Sequence, residues 1–404
     1  MRDVSERRNF AWPVTSIDQE NYDGFFTWFT QNRGLLSNHR LYIWGAGIRG
    51  TSFGILLREQ GVHNFTFVDS NPEKWGGFID EAPIISPEEL EADRTVEKRI
   101  ILISVENSGA IQRELDAKGY QKNRDYFAVE TDAYAAYVQE FLRPYEKNLL
   151  IMGDCEFTAI SIEDTRHDSL REKLYRRFGK EQVKILAMHA MGPRAEYNIF
   201  HALIAQDMKP ERLALMVNFE ALTGKQHLLP RSQHAELLNL LLEAQETPSE
   251  EFRDYVRLAQ ERSKNLQMEF FTGPESAEGL SDAKARNYIR LNYLYNLDTA
   301  SEGVQYLEKL LNEAVSEGVK TLAFIPPFNY QMAERLMGGA YQARYKSNEE
   351  KIHRVINAHG VRLLDMSFCL TSDLFTTPDT VTETSNDAGR EIVADLLCCA
   401  IEEL

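Results

Sequence analysis

The stretch Asn148–Phe157 places the strongest constraint on the fold of this chain. Four consecutive apolar residues, Leu149–Met152, run directly into Gly153, Asp154 and Cys155. An apolar run of this length that stops at a glycine is typical of a buried parallel strand. Residues just beyond such a strand lie at the carboxyl edge of the sheet, where open α/β folds bind their ligands. The sequence therefore predicts that Cys155, a potential nucleophile, lies at the edge of a sheet beside a carboxylate.

Short apolar runs recur through the rest of this half of the chain, and helical patterns separate them. Such alternation predicts a parallel sheet with helices packed on both faces. The segment from about residue 232 to 297 is too long for one crossover, so we expect a helical insertion that covers the sheet edge. The predicted strands are Leu149–Met152, Val183–Met188, Leu213–Val217, Thr321–Ile325 and Val361–Leu364, and the predicted helices include Ala195–Gln206, Ser301–Glu317, Asn348–His359 and Asp387–Ile401.

A glycine-rich turn marks the N-terminal part of the chain. Gly45, Gly47 and Gly50 form a GxGxxG pattern between a predicted strand and a helix, and the next predicted strand ends in Asp69. In nucleotide-binding folds the first glycine permits the turn, the second admits a phosphate, and the third packs helix against strand. The predicted strands here are Arg40–Trp44, Phe65–Val68 and Ile100–Val105. Two interpretations stay open: a nucleotide or nucleotide-sugar pocket with Asp69 on a ribose, or a turn that serves packing alone.

Taken together, these patterns predict an α/β protein of two domains, each a parallel sheet flanked by helices. We expect an N-terminal helical segment over residues 1–38, a Rossmann-like domain over 39–133, a connector over 134–147 and a second α/β domain over 148–404. A length of 404 residues accommodates two domains of ordinary size.

Charge and cysteine usage narrow the functional classes. The formal net charge is −17 and is spread along the sequence, which argues against a nucleic-acid surface or an anionic membrane as partner. The four cysteines form no CxxC pair and no disulfide framework. The sequence shows neither a signal peptide nor a run of about 18 apolar residues. These features predict a cytoplasmic protein without a membrane span.

Part of the first domain resembles a known module. Residues Phe67–Gly76, followed by Pro83–Leu90, resemble the small Rossmann-like domain that accompanies bacterial surface-polysaccharide and sugar-modifying enzymes. The resemblance implies an accessory domain rather than a hydride-transfer domain. If the glycine turn is occupied, a nucleotide or nucleotide sugar is the expected ligand.

The second domain resembles the SGNH (GDSL-like) hydrolases, whose first sequence block is Gly-Asp-Ser. Here Cys155 stands at the serine position, while Gly192 and Asn218 stand at the glycine and asparagine positions of the next two blocks. The fourth block is an Asp-x-x-His pair before a final helix, and at those positions this chain has Val381 and Thr384. The resemblance implies a flavodoxin-like sheet with its site at the carboxyl edge.

The resemblance also implies roles for individual residues. Acyl transfer requires a nucleophile, a base and hydrogen-bond donors for the developing oxyanion. Cys155 would be the nucleophile, with Asp154 beside it, and Gly192 and Asn218 would contribute donors. In the absence of the family histidine, His189 is a candidate base. Two acids near the fourth block, Asp379 and Glu383, are further candidates.

Three functional hypotheses follow. The first is an esterase or O-acyltransferase that acts on a sugar or glycan in bacterial surface-polysaccharide metabolism. The second is a catalytically degenerate domain that binds carbohydrate or serves assembly, with a homo-oligomer or a polysaccharide-assembly protein as partner. The third is a nucleotide- or nucleotide-sugar-dependent enzyme that uses the first domain. No metal site is predicted, since His353 and His359 lie six residues apart and do not share a helix face well.

Overall fold

The chain has a mixed α/β fold, which confirms the predicted fold class. The computed structural model describes residues 9–10, 16–92, 98–105, 108–143, 145–146, 148–223, 228–231, 234–264, 282–376 and 384–404. These residues form two compact units. The first contains the described residues up to Tyr137 together with Ser161–Glu163, and the second contains Val138–Ile160 and the described residues from Asp164 onward. Within these ranges, no helix has the length and apolar character needed to cross a membrane.

The first unit begins with short extended segments and a long aromatic helix. Its elements are β1 (Asn9–Phe10), β2 (Ser16–Asp18), α1 (Gln19–Leu36), β3 (Arg40–Trp44), α2 (Ile48–Glu59), β4 (Phe65–Val68), β5 (Phe78–Ile79), β6 (Ala82–Ile85), α3 (Pro87–Ala92), β7 (Arg99–Ile103), α4 (Gly109–Ala117), β8 (Tyr126–Phe127) and α5 (Val129–Phe141), which ends beyond Tyr137. Helix α1 buries Phe25, Trp28 and Phe29, because aromatic side chains three or four residues apart share one helix face. These aromatic residues therefore belong to the core.

The sheet of the first unit is parallel except for one hairpin. Among the described residues its order is β1-β5-β6-β4-β3-β7-β8, and only β5 and β6 pair antiparallel. If β3, β4, β6, β7 and β8 are numbered one to five, their order is 3-2-1-4-5, that of nucleotide-binding doubly wound sheets. The glycine turn follows β3, where this order reverses direction.

The second unit contains the remaining elements apart from Ser161, which belongs to the first unit. They are β9 (Leu149–Gly153), β10 (Ala159–Ser161), α6 (Leu170–Phe178), β11 (Val183–Ala187), α7 (Pro193–Ala205), β12 (Arg212–Met216), α8 (His234–Glu243), α9 (Glu250–Lys264), α10 (Asp282–Asn292), α11 (Glu302–Ser316), β13 (Lys320–Ile325), α12 (Tyr330–Met337), α13 (Gly339–Ala358), β14 (Arg362–Asp365) and α14 (Asp387–Glu402). Helices α8, α9 and α10 lie in the long segment between β12 and β13.

Five parallel strands form the central sheet of the second unit. In the described part of the chain their order is β11-β9-β12-β13-β14, which is 2-1-3-4-5 in chain order. This is the doubly wound order of the flavodoxin type. The order reverses between β9 and β12, whose carboxyl ends lie side by side. In sheets of this type a crevice opens at that point, so a ligand site is expected in the loops after these two strands.

Candidate functional site

The loop after β9 holds Cys155 at the carboxyl edge of the sheet. A Cβ on Gly153 would lie 2.5 Å from the Phe157 ring, so only glycine fits where the chain leaves the strand. The Asp154 side chain then accepts a hydrogen bond from the Glu156 backbone N–H at 3.0 Å and starts a single 3₁₀ turn, Cys155–Phe157. Cys155 is half-buried in this turn and forms no disulfide. The structure thus places the predicted nucleophile half-buried at the sheet edge rather than in the core.

Asp154 is joined to Asn218 across the point where the strand order reverses. Asn218 lies two residues beyond β12, and its Nδ2 donates to Asp154 Oδ2 at 3.1 Å. The Asn218 Oδ1 accepts from the Glu220 backbone N–H at 2.9 Å, which fixes the orientation of the amide. The residues of the first and third predicted blocks therefore meet at one edge.

The loop between β11 and α7 brings the second predicted block to the same edge. Gly192 is the N-cap residue of α7, and Pro193 occupies the first helical turn. His189 is exposed, and its backbone oxygen lies 3.0 Å from Nε2 of His234 on α8. The Arg231 backbone N–H donates to His234 Nδ1 at 3.3 Å. Since Nδ1 accepts, Nε2 carries the proton of this fully buried imidazole, so α8 tethers the loop that carries His189.

Three acids with perturbed pKa values surround Asn218. Burial raises the pKa of Asp154, and hydrogen bonds from Glu156 and Asn218 and the charge of His189 oppose that rise only in part. Burial, followed by the charge of Asp154, raises the pKa of Glu196 well above its ordinary value. Burial also raises the pKa of Glu220, against a hydrogen bond from Tyr288. Several titratable groups shifted in one direction at one place are typical of functional sites.

Two of these acids line a small cavity. Asp154, Glu196 and Asn218 contribute its polar lining, and the apolar lining includes Met191, Met216 and Leu307. Glu196 lies in the first turn of α7 and is 4% exposed. Neither Glu196 nor Glu220 was a predicted site residue. An acid in the first turn of a helix is usually a solvated partner of the helix dipole, so the local sequence gives no signal that Glu196 points inward.

The fourth predicted block is only partly visible. Thr384 lies at the predicted histidine position, and its backbone oxygen accepts a hydrogen bond from the Thr376 N–H at 3.0 Å. Asn386 caps α14 through a 3.0 Å bond from the Gly389 N–H. Val381 and the two candidate bases Asp379 and Glu383 lie outside the described residues. Among the predicted bases, His189 is the one that lies within the described residues.

The glycine turn of the first unit is built as its spacing predicts. Gly45 adopts a left-handed φ of +116°, and a Cβ on Gly50 would overlap the carbonyl oxygen of Gly45. Around Gly47 there is open space, so neither packing nor a left-handed backbone requires glycine there. The backbone conformation thus requires glycine at Gly45, and close packing requires it at Gly50. Gly47 instead leaves room for a ligand to approach the backbone.

Asp69 makes contacts within the turn itself. Its Oδ2 accepts from the Ala46 backbone N–H at 2.8 Å and from Lys74 Nζ at 3.1 Å. Its Oδ1 accepts from the Asn71 N–H at 2.8 Å. Asp69 therefore holds the glycine turn against the end of β4 and occupies a backbone donor that a phosphate could use. Its expected bond to a ribose stays a prediction, and a nucleotide at this turn would have to compete with these contacts.

No family model and no curated protein matches the chain. The chemistry available to the second unit follows from the geometry at its sheet edge. That geometry combines a half-buried thiol, a carboxylate–amide pair, a helix N-cap glycine and an exposed histidine around one sheet edge. Such a set can activate a thiol and stabilise an oxyanion, and burial raises the pKa values of the acids beside it.

Proposed function

We propose that the second unit is an acyl-ester hydrolase or O-acyltransferase of SGNH type that acts on a sugar or glycan, with Cys155 as its nucleophile. The observation that carries the proposal is the meeting of Asp154–Cys155 with Asn218 at the point where the strand order reverses. Ligands of doubly wound sheets bind at this point. Surface-polysaccharide metabolism in bacteria is the setting that the sequence resemblances favour.

The reaction would proceed in two steps. The Cys155 thiolate attacks the carbonyl carbon of an ester, a C–S bond forms, and the bond to the sugar oxygen breaks as that oxygen takes up a proton. Water, or the hydroxyl of a second sugar, then attacks the thioester and returns the thiol to Cys155. The Asn218 amide and the backbone N–H groups of Cys155 and Gly192 are the proposed oxyanion donors.

The base in this proposal is His189. It lies in the loop after β11, the strand that pairs with β9, and its charge acts to lower the pKa of Asp154, the residue before Cys155. The tether from His234 to the His189 backbone limits the motion of the loop. Asp154 acts here as a positioning residue, because its two oxygens bind Glu156 and Asn218 rather than a substrate.

Steady-state turnover of p-nitrophenyl acetate tests this proposal. Cys155→Ala should abolish turnover, and Asn218→Ala should lower kcat by about 10²–10³-fold, as expected for the loss of one oxyanion donor. Cys399→Ala is the matched control, because Cys399 is an exposed free thiol on α14. Equal loss of activity in the Cys399 and Cys155 variants would contradict the assignment, as would full activity in Cys155→Ala.

A carbohydrate-binding or assembly role without turnover is the second candidate. Thr384 at the expected histidine position favours it, since a serine-type triad cannot be completed there. Binding of oligosaccharides that is unchanged in Cys155→Ala, in a protein without esterase activity, would select this candidate. For the first unit we propose a nucleotide or nucleotide sugar as ligand, supported by the open space at Gly47. Calorimetric titration with nucleotide sugars tests that ligand separately.

A further inference from the structure

A second group of ligand-type side chains lies at β14, the outermost strand of the central sheet. Glu349 and His353 come from α13, and Asp365 is the last residue of β14. Each offers one ligand atom, and these atoms all lie within 4.8 Å of one another. His353 Nε2 and Asp365 Oδ2 are 3.2 Å apart. Neighbouring ligand atoms in a tetrahedral site with bonds of about 2.0–2.1 Å lie about 3.3 Å apart, so this pair already has the required spacing.

The fold explains why the three side chains meet. Glu349 and His353 are four residues apart on α13 and therefore share one helix face. Strand β14 pairs with β13 through Asp365 and Ile325, which fixes the Asp365 backbone at the carboxyl edge. The Ser367 backbone N–H donates to Asp365 Oδ1 at 2.9 Å, and this bond leaves Oδ2 turned toward His353. Anchoring of a carboxylate through its second oxygen is usual around metal ligands.

The charges of the group favour a cation. Two half-buried carboxyl groups at this separation repel each other when both are ionised. The pair relieves its repulsion by sharing a proton or by binding a divalent ion.

We propose that Glu349, His353 and Asp365 bind a divalent transition-metal ion, with Zn²⁺ the best match. An imidazole with two carboxylates suits Zn²⁺ and similar ions better than Mg²⁺ or Ca²⁺, which prefer oxygen ligands alone. Three protein ligands leave the fourth position of a tetrahedral ion for water or another group. Other histidine–carboxylate pairs of the described residues, His201 with Glu313 and His359 with Glu308, do not belong to a group of three.

The metal group is linked to the wall of a small aromatic cavity. The Tyr345 hydroxyl donates to Ser367 Oγ at 2.8 Å, and the Ser367 N–H binds Asp365. Tyr345 lines this cavity together with Phe219, Phe328 and Asn218. An ion held by Asp365 would therefore fix the segment that positions Tyr345. The binding of the ion itself requires nothing from the acyl-transfer proposal.

Calorimetric titration of the chelator-treated, full-length protein with zinc chloride tests the proposal. We expect one tight site per chain and a Zn²⁺-dependent rise in Tm, because a ligand that binds only the folded state stabilises it. Glu349→Gln and His353→Gln should each weaken that site by at least about 100-fold, since even loss of an outer-shell partner costs 10–100-fold.

Two variants serve as controls for this titration. His201→Gln removes the imidazole of a histidine–carboxylate pair that has no third ligand, and Cys155→Ser removes a thiol that could bind Zn²⁺ elsewhere. Both should retain the tight site. Circular dichroism in the absence of metal verifies that each variant is folded, and either Glu349→Gln or His353→Gln alone suffices for the test. A wild-type protein without a tight site, or a tight site that survives in the folded ligand variants, would overturn the proposal.

Discussion

Replacing Glu196 by glutamine should change how the stability of the protein depends on pH. The Glu196 carboxyl is 4% exposed, and burial followed by the charge of Asp154 raises its pKa well above the ordinary value. The unfolded chain releases this proton at about pH 4.3, whereas the folded protein keeps it to a higher pH. Between the two pKa values the folded state binds more protons, so this residue makes wild-type stability fall as pH rises.

The magnitude follows from the linkage relation. One proton retained only in the folded state changes the free energy of unfolding by at most about 1.4 kcal/mol for each pH unit. Glutamine has the shape of the protonated acid and no charge to desolvate, so near pH 4 the two proteins should differ by about 1 kcal/mol or less. Above that pH, Glu196→Gln should become progressively more stable than the wild type, until the folded-state pKa is passed.

Urea unfolding followed by circular dichroism at a series of pH values measures this difference. The variant Glu402→Gln, at an exposed position on α14, is the control and should give a curve parallel to that of the wild type. A wild type that gains stability over Glu196→Gln as pH rises would show that Glu196 is ionised in the fold. Parallel curves would show that its proton is not held by burial. Either result would refute the reasoning about the acids around Asn218.

Three further predictions concern residues that hold the two units in shape. Gly50→Ala should lower the free energy of unfolding in urea by about 3 kcal/mol or more, because the added Cβ would overlap a backbone oxygen. Gly47→Ser should change that free energy by no more than about 0.5 kcal/mol. Equal losses in the two variants would contradict the packing role of Gly50. Arg390→Met should lower the free energy of unfolding by about 3–5 kcal/mol, because Arg390 and Asp164 form an ion pair whose side chains are 1% and 4% exposed. Arg257→Ala breaks an exposed ion pair and should lower it by about 1 kcal/mol or less. A similarly small loss in Arg390→Met in the same unfolding assay would refute this prediction. His234→Ala should speed proteolysis near His189 and lower ester turnover, because the loop loses the hydrogen bond from His234 to the His189 backbone oxygen. His201→Ala should change neither rate. An unchanged rate of cleavage in His234→Ala would contradict the role of this hydrogen bond.

The periodic parts of the fold were predictable from the sequence. The strands Arg40–Trp44 and Phe65–Val68 have the predicted bounds, since buried parallel strands appear as uninterrupted apolar runs that glycine or acid residues terminate. Helix α13 begins nine residues before the predicted Asn348. The pair Gly338-Gly339 resembles a loop in sequence, but only Gly338 is left-handed, with a φ of +62°, while Gly339 is already helical. Conformation at single glycines cannot be deduced from composition.

Contacts between distant residues were much less predictable. Asp154 and Asn218 could be placed at one edge, because the ends of parallel strands share an edge. By contrast, Glu349 and Asp365 belong to elements whose pairing depends on strand order, and no local pattern connects Arg390 with Asp164. The inward orientation of Glu196 could not be predicted from the sequence either, because the first turn of a helix favours acidic residues whether they face solvent or the core. The periodicity of the sequence predicts helices and strands. Which polar side chains come into contact can be predicted only once the order of the strands is known.

The most direct test of the account is the mass of the intact protein during its reaction with p-nitrophenyl acetate. Rapid quenching should reveal one acetyl group per chain, formed in a burst of p-nitrophenol release and located on the peptide that contains Cys155. Cys155→Ala should show neither the acetyl group nor the burst, while Cys399→Ala should show both. An unmodified wild-type protein, or an acetyl group on a different residue with the same rate in Cys155→Ala, would contradict the claim that Cys155 is the nucleophile of an acyl-transfer site.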